Sequence, residues 1–482
     1  MPESRRGTPK IIQTVSRRGY RKKRVPDRRE DEQDVRPVEP GPDRRSQEQN
    51  EPTRPASTEE PEPGGEPVTF GGYTPLDPTK LKNVKIPVDP SGGAAGSKVV
   101  AMTGNVWLAM SNDDGATFKY FDPTTMFPAF AGGIVGDQQV IFIPEIDMFV
   151  WIMLHNPIAS SGDGAFRLAF GTAEELKRKP KSGWRFVEFV ASDVDVAGVD
   201  FDQPHLSASA RFLIIAIDAV GKGRIVMRIP QSDLTAGQVG WEFIGPLTVG
   251  TGDYQFSAPC NNLPPGTFMA GHIDTSTLRI VAWPDGDSAS TTHDVKVGKW
   301  SDSDDYSCST PSGVDWSGRC GSRVSGATWR DGQLWFSWVS PRSRNGDAPF
   351  FPQPYTRVVA VNSATFANIT EMQVWNPDFA FAYSALAVNS NGEVAIAVGW
   401  GGPTSEADAA FGILGDFVVW FRDGSTATTT APGSATAGRW GDYLRTHRSQ
   451  VTSPHFDGFG YFTNKDASGN IVQNPYHVRY GR

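Results

Sequence analysis

The chain has 482 residues, 46 Lys and Arg against 54 Asp and Glu, and a formal net charge of −8. Hydrophobic residues make up 38%, below the globular average, while Gly (51) and Pro (37) are abundant. No apolar run approaches the roughly 18 residues that a membrane-spanning helix needs, so no transmembrane helix is expected.

The first segment in chain order is a charged tail. Residues 1–66 hold no Phe or Trp, and 30–67 are almost wholly Pro, Glu, Asp, Arg, Ser and Gln. Ordering such a segment buries too little apolar surface to offset the entropy lost. The expected division is a disordered tail over 1–66 and one folded domain over 67–482. Up to Arg29 the tail has 11 basic and 2 acidic residues; from Glu30 to Glu66 it has 4 basic and 12 acidic. The basic cluster Arg17, Arg18, Arg21, Lys22, Lys23 and Arg24 suits an anionic partner or a secretion apparatus. The plainer alternative is a solvated tail whose two halves screen each other. Paired arginines at Arg5 and Arg6, and at Arg17 and Arg18, are not followed by the apolar stretch of a cleavable signal. No conventional signal peptide is read; a cytoplasmic location and a non-classical export route both stay open.

From Gly71 onward, short β-type runs alternate with Gly, Asp, Asn and Pro turns. Examples are 106–110 (VWLAM), 149–154 (FVWIML), 212–217 (FLIIAI), 334–338 (LWFSW) and 417–421 (FVVWF). β-Branched and aromatic residues bounded by turn formers read as strands. The best helix is 173–179 (AEELKRK). Similar unit openings fall near Lys98, Asp137, Gln203, Ala258, Arg323, Tyr383 and Asp442, spaced 39 to 66 residues apart. Units of this size suit four-stranded blades, so the fold class is all-β: a single β-propeller, with seven blades favoured and six as the alternative. The last unit has three clear strands, and 82–86 (KNVKI) is expected to supply the fourth and close the ring.

The most specific local signal is Ser111-x-Asp113-x-Gly115-x-Thr117-Phe118, placed between two strands. Asp113 can accept backbone N–H bonds across this turn while Gly115 takes a positive φ. The segment matches the Asp-box, and here the chain resembles the sialidase-like, BNR-repeat propellers, in which the Asp-box marks the blade periphery and is not catalytic. The stretch from Thr103-Gly-Asn-Val-Trp107 to Trp151, with the late Arg439-Trp440-Gly441-Asp442-Tyr443, is similar to an uncharacterised group of bacterial sialidase-like propellers. That resemblance implies a fold and no assigned reaction. Sialidases themselves use three arginines, an acid/base carboxylate and a Tyr–Glu pair. Met227-Arg228-Ile229-Pro230 echoes one of their motifs but reads as an outer-strand end, and no Tyr–Glu pair can be placed.

Other chemistry finds little support. Asp137, Asp202 and Asp442 stand at unit openings as a glycosidase pair or as turn caps. The clusters Asp193, Asp195, Asp200, Asp202 and Asp302, Asp304, Asp305 suit either Ca²⁺ or solvated loops, without the spacing of an EF-hand loop. The seven His show no zinc spacing, and no cofactor is expected. Cys308 and Cys320 flank a Ser/Gly/Asp-rich loop and either form one disulfide or stay thiols. The acidic body argues against nucleic acid on the propeller.

In a propeller, loops from every unit meet where the innermost strands start. The expected ligand-binding residues there are Asp137, Gln203, His205, Arg323, Tyr383, Asp442, Tyr443 and Arg445. Planar polar and aromatic groups of this kind fit a carbohydrate or a protein ligand. The favoured reading is a binding or scaffold module, including an exported effector or adhesin; the alternative is a glycan-active hydrolase or lyase using the same mouth.

Overall fold

A computed structural model describes residues 2–15, 68–81, 84–249, 256–301, 303–415, 420–421, 425 and 440–482. Seven blades follow one another around a ring. Blade 1 is built from Ser91–Ala94, Val100–Gly104, Trp107–Ser111 and Lys119–Phe121. The innermost strands of blades 2, 3, 5, 6 and 7 are Ile134–Ile143, Phe201–Ala208, Val324–Arg330, Ala380–Val388 and Arg445–Arg448. In blade 4 the extended segment 256–261 lies inside Gly266–Asp274, held by Ser257 N–H on Ala270 O and Cys260 N–H on Phe268 O. The first unit thus opens at Ser91; Lys98, where the sequence pattern placed the opening, lies in the turn after that strand.

The strands are apolar on both faces because each blade is sandwiched. In Met148–His155, Val150, Ile152 and Leu154 join the cluster shared with blade 3, while Phe149, Trp151 and Met153 join the one shared with blade 1. Successive side chains point to opposite faces, so the run reads as continuous rather than alternating. Among the described residues, seven buried clusters fill the seven junctions, including that between blades 7 and 1, where Phe459 packs with Val100, Met102 and Trp107. Two-turn helix Ala173–Arg178 forms where expected, with Thr172 capping the Glu175 N–H.

Two expectations are corrected. Ring closure uses Thr69–Pro75, which pairs with the last strand, Ile471–Gly481, in place of 82–86. Of that segment, 82 and 83 lie outside the described residues, and 84–86 carry no strand. Residues 2–15 are also not a free tail. Arg5–Arg6 pairs with Glu242–Leu247 of blade 3, Lys10–Ile11 with Gln238–Val239, and Gln13–Thr14 with Arg185–Val190 of blade 2. Arg5 reaches Asp195 at 2.9 Å and Lys10 reaches Asp193 at 2.9 Å, so these two members of the acidic cluster anchor residues 2–15. Val15 is buried, and Gly7 lies so close to Trp241 that a Cβ there would overlap the indole. The basic cluster 17–24 and the rest of the tail to residue 67 lie outside the described residues.

Candidate functional site at the ring's mouth

Seven of the eight expected mouth residues line one cavity of about 410 Å³: Gln203, His205, Arg323, Tyr383, Asp442, Tyr443 and Arg445. The eighth, Asp137, stands behind it and accepts the Tyr443 hydroxyl at 3.2 Å. The backbone explains how strand starts present side chains inward. Register shifts interrupt the inner strand of blade 3 between Asp202 and His205, of blade 5 between Val324 and Gly326, and of blade 6 between Ala382 and Ala385. Gln203 and Tyr383, inside two of these bulges, have φ of 44° and 56°. A bulge re-aims a side chain, and left-handed backbone at non-glycine positions concentrates at functional sites.

Polar contacts at the mouth draw on four blades, 2, 3, 5 and 7. Asp218, fully buried, accepts Arg224 at 2.6 Å and Arg323 at 3.0 Å. Arg445 Nη2 lies 2.8 Å from His205 Nδ1, and Gln139 Nε2 lies 3.2 Å from the same nitrogen. Gln139 Oε1 accepts the Leu206 N–H at 3.1 Å, which orients its amide to donate to the ring. His205 therefore carries its proton on Nε2. Burial first, and then the charges of Arg224, Arg445 and Arg323, hold it neutral, well below its usual range. Its ring meets Tyr443 edge-on, with centroids 5.4 Å apart. Burial, aided by Arg224, pushes the Arg445 guanidinium down to about 10, although the neighbouring Tyr443 opposes this. Tyr443 moves the other way: burial and the field of Asp137, Asp442, Asp202 and Asp89 raise its phenol far above the ordinary range.

The mouth is tied together by backbone as well. Asp442 N–H donates to Asp89 Oδ1 at 2.9 Å, linking blade 7 to the lead-in of blade 1. Beneath Tyr383, Trp440 packs against it at 5.5 Å and against Tyr461 at 4.8 Å. Arg439 of the late motif lies outside the described residues. Sequence reasoning missed His272, Arg319, Arg224 and Asp218. Arg224 and Arg228 are set among apolar residues in Gly223–Pro230, which is a faint signal that both are buried. Only Arg224 reaches the mouth network; Arg228 stacks on Trp283 at 3.5 Å and pairs with Glu242.

The 111–118 turn lies away from the mouth. Thr117 N–H donates to Asp113 Oδ1 at 2.9 Å, the Ser111 hydroxyl to the same oxygen at 2.6 Å, and Gly115 has φ 81°. Thr117 and Phe118 lead into the outer strand Lys119–Phe121. Its neighbour Asp114 takes both terminal nitrogens of Arg479, at 2.7 and 2.8 Å, from the last strand of blade 7. Arg479 also holds buried Asp457, which His477 contacts at 2.8 Å. The turn thus belongs to the seam that closes the ring.

Cys260, Cys308 and Cys320 are all free and buried, so the bridge between 308 and 320 is absent. Among the described residues no cluster of three or more His, Cys, Asp or Glu side chains is arranged to hold a metal ion.

The fold and the site define the class: a seven-bladed β-propeller with a polar cavity at its mouth. No protein family matches the chain, and no curated protein matches it. Solved structures resemble it in outline. A chain of a mitotic checkpoint complex is 10% identical over 86% of this chain and 94% of that one, with a TM-score of 0.42. A GH93 α-L-arabinofuranosidase of Fusarium graminearum, solved with arabinobiose, is 13% identical over 85% and 98%, with a TM-score of 0.39. The Dos1 propeller is 7% identical over 86% and 95%, with a TM-score of 0.40. Likeness at this level says nothing of what the chain binds or does.

Proposed function

We propose that the mouth binds a small saccharide carrying an acidic group, and holds it rather than cleaving it. One observation carries this reading. Arg445 lines the cavity half-buried, and its contacts among the described residues are neutral His205 and the Tyr443 ring. A guanidinium drawn out of water without a carboxylate partner is costly, and a ligand carboxylate would offset that cost with paired hydrogen bonds. Arg319, exposed on the rim, likewise makes no ion pair among the described residues. Asp442, Gln203 and Tyr443 supply acceptors and donors for hydroxyl groups. A cavity of about 410 Å³ falls within the usual range for small ligands, which favours a saccharide over a protein surface.

A second reading, a glycan-active enzyme, draws on the Tyr443–Asp137 hydrogen bond beside Arg445. A phenol next to a carboxylate is a nucleophile–base arrangement. The raised pKa of Tyr443 weighs against it: the phenol keeps its proton and acts as a donor. A glycan array of acidic and neutral saccharides, run beside a hydrolysis screen, separates the two. Binding of acidic saccharides without turnover is expected. Turnover of any glycoside, lost in Asp442→Asn with the fold intact, would establish the second reading.

A further inference from the structure

Below the mouth the ring narrows. A second cavity, of about 10 Å³, lies one step further along the same inner strands, with Leu206, Ala327, Leu386 and Thr446 among its lining residues. It is the size of a single water. Among the described residues, Ser325 and Arg445 alone line both cavities, so they stand at the floor of the mouth, on blades 5 and 7.

Ser325 sits inside the blade 5 bulge between Val324 and Gly326, and Ser384 inside the blade 6 bulge between Ala382 and Ala385. Their hydroxyl oxygens are 2.9 Å apart, and that of Ser384 is also 2.8 Å from the Ser337 hydroxyl, on the second strand of blade 5. Three hydroxyls that share two hydrogen bonds have one proton left over, and burial decides which one. Ser337 is fully buried, and its hydroxyl meets only Ser384 among the described residues. A chain running inward would strand the Ser337 proton, at the cost of an unmet buried donor. If both neighbours donated to Ser384, its own proton would be stranded instead, and Ser384 is 3% exposed. The chain therefore runs outward: Ser337 donates to Ser384, Ser384 to Ser325, and Ser325, partly exposed on the wall, to the cavity. Hydroxyls in series polarise one another, which strengthens the last donor.

An O–H aimed into the cavity calls for an acceptor, and a carboxylate is the group that only accepts. We propose that Ser325 is a specificity-determining residue for the acidic ligand, its hydroxyl donating to one carboxylate oxygen at the cavity floor while Arg445 takes the other. This rests on the acidic-saccharide reading and deepens it. The carboxylate becomes the deepest part of the ligand, and the sugar ring stays above it, beside Gln203, Asp442 and Tyr443. Ser384 acts through Ser325, as a positioning residue.

The test is calorimetry on the full chain and on Ser325→Ala, Ser384→Ala and the double variant, with melting temperatures measured alongside. The probes are glucuronic, galacturonic and mannuronic acids and the methyl glycosides of the matching neutral hexoses. Ser325→Ala should bind the uronic acids at least about tenfold more weakly, the value of a hydrogen bond to a charged group, with any binding of neutral glycosides unchanged. Ser384→Ala keeps the Ser325 hydroxyl but removes the donor that orients it among three staggered positions, and should weaken the uronic acids about threefold. In the Ser325→Ala background that second loss should vanish. Uronic acids whose binding falls in Arg445→Met but is unchanged in Ser325→Ala would overturn the role of Ser325 and leave the acidic reading standing. Equal losses for acids and neutral glycosides, or additive losses in the double variant, would also overturn it, since either marks a structural effect. No binding of any uronic acid to the wild type would overturn both.

Discussion

Residues 2–15 and residues 442–445 both join parts of the ring that are far apart in the chain, but by different chemistry. The first segment adds short strands to the outer edges of blades 2 and 3, and its contacts are mainly backbone pairs. The second reaches Asp89, Asp137 and His205 on blades 1 to 3, through one N–H and two side chains. Backbone pairing accepts almost any side chain, so it leaves little trace in composition. Convergence of buried polar side chains needs particular residues in particular places. The outer rim is therefore the less legible of the two, and the mouth the more.

Cutting the seam of the ring should have the largest effect on stability. Arg479→Leu leaves Asp457 buried without its guanidinium and frees Asp114, at a cost of about 3–5 kcal/mol. Urea unfolding measures it, and a loss below about 1 kcal/mol would show that the seam is held by apolar packing alone. Deleting residues 2–15 should cost about 2–4 kcal/mol, since it exposes the blade edges and the site of Val15. Saccharide affinity should not change. An unaltered melting temperature would return these residues to the free tail that their composition suggests.

Stability should also fall with acid before carboxylates titrate. His155, His205, His272 and His447 are all depressed by burial, His272 to about 3 and His447 to about 4. Below the ordinary value of 6.5 the unfolded chain binds protons that the folded chain refuses. Stability is thus whole above pH 6.5 and declines as pH falls toward each folded value, by up to about 1.4 kcal/mol per unit for each histidine. His272→Phe should flatten the urea midpoint between pH 6.5 and 4; an unchanged slope would mean that the ring is protonated in the fold. Asp113→Ala is the smallest of the set. It removes the acceptor of Thr117 and Ser111 and should cost about 1–2 kcal/mol with binding intact. Lost binding at equal stability would instead make that turn functional.

The blades were legible because strands such as Met148–His155 are apolar on both faces and bounded by turn formers. The ring-closing strand was not, because Thr69–Pro75 (TFGGYTP) is rich in Gly and mostly exposed, and looks like linker. Residues 2–15 were masked by the charged composition around them. At the mouth, positions where strands begin could be read directly, and Tyr383, Tyr443 and Arg445 lie on one cavity. His272 could not be read. It lies at the far end of a second strand, Gly266–Asp274, and reaches the mouth only because that strand runs back alongside 256–261. Which end of a strand faces the mouth depends on its place in the blade, and spacing in a single sequence does not encode that.

The central claim is that the mouth holds an acidic saccharide through Arg445. Calorimetry of the wild-type chain and of Arg445→Met, with the acidic saccharide that binds best on the array, tests it most directly. Binding to the wild type, weakened at least about tenfold in Arg445→Met with the melting temperature preserved, is the predicted result. Equal binding by both proteins, or tighter binding of the neutral counterpart, would contradict it.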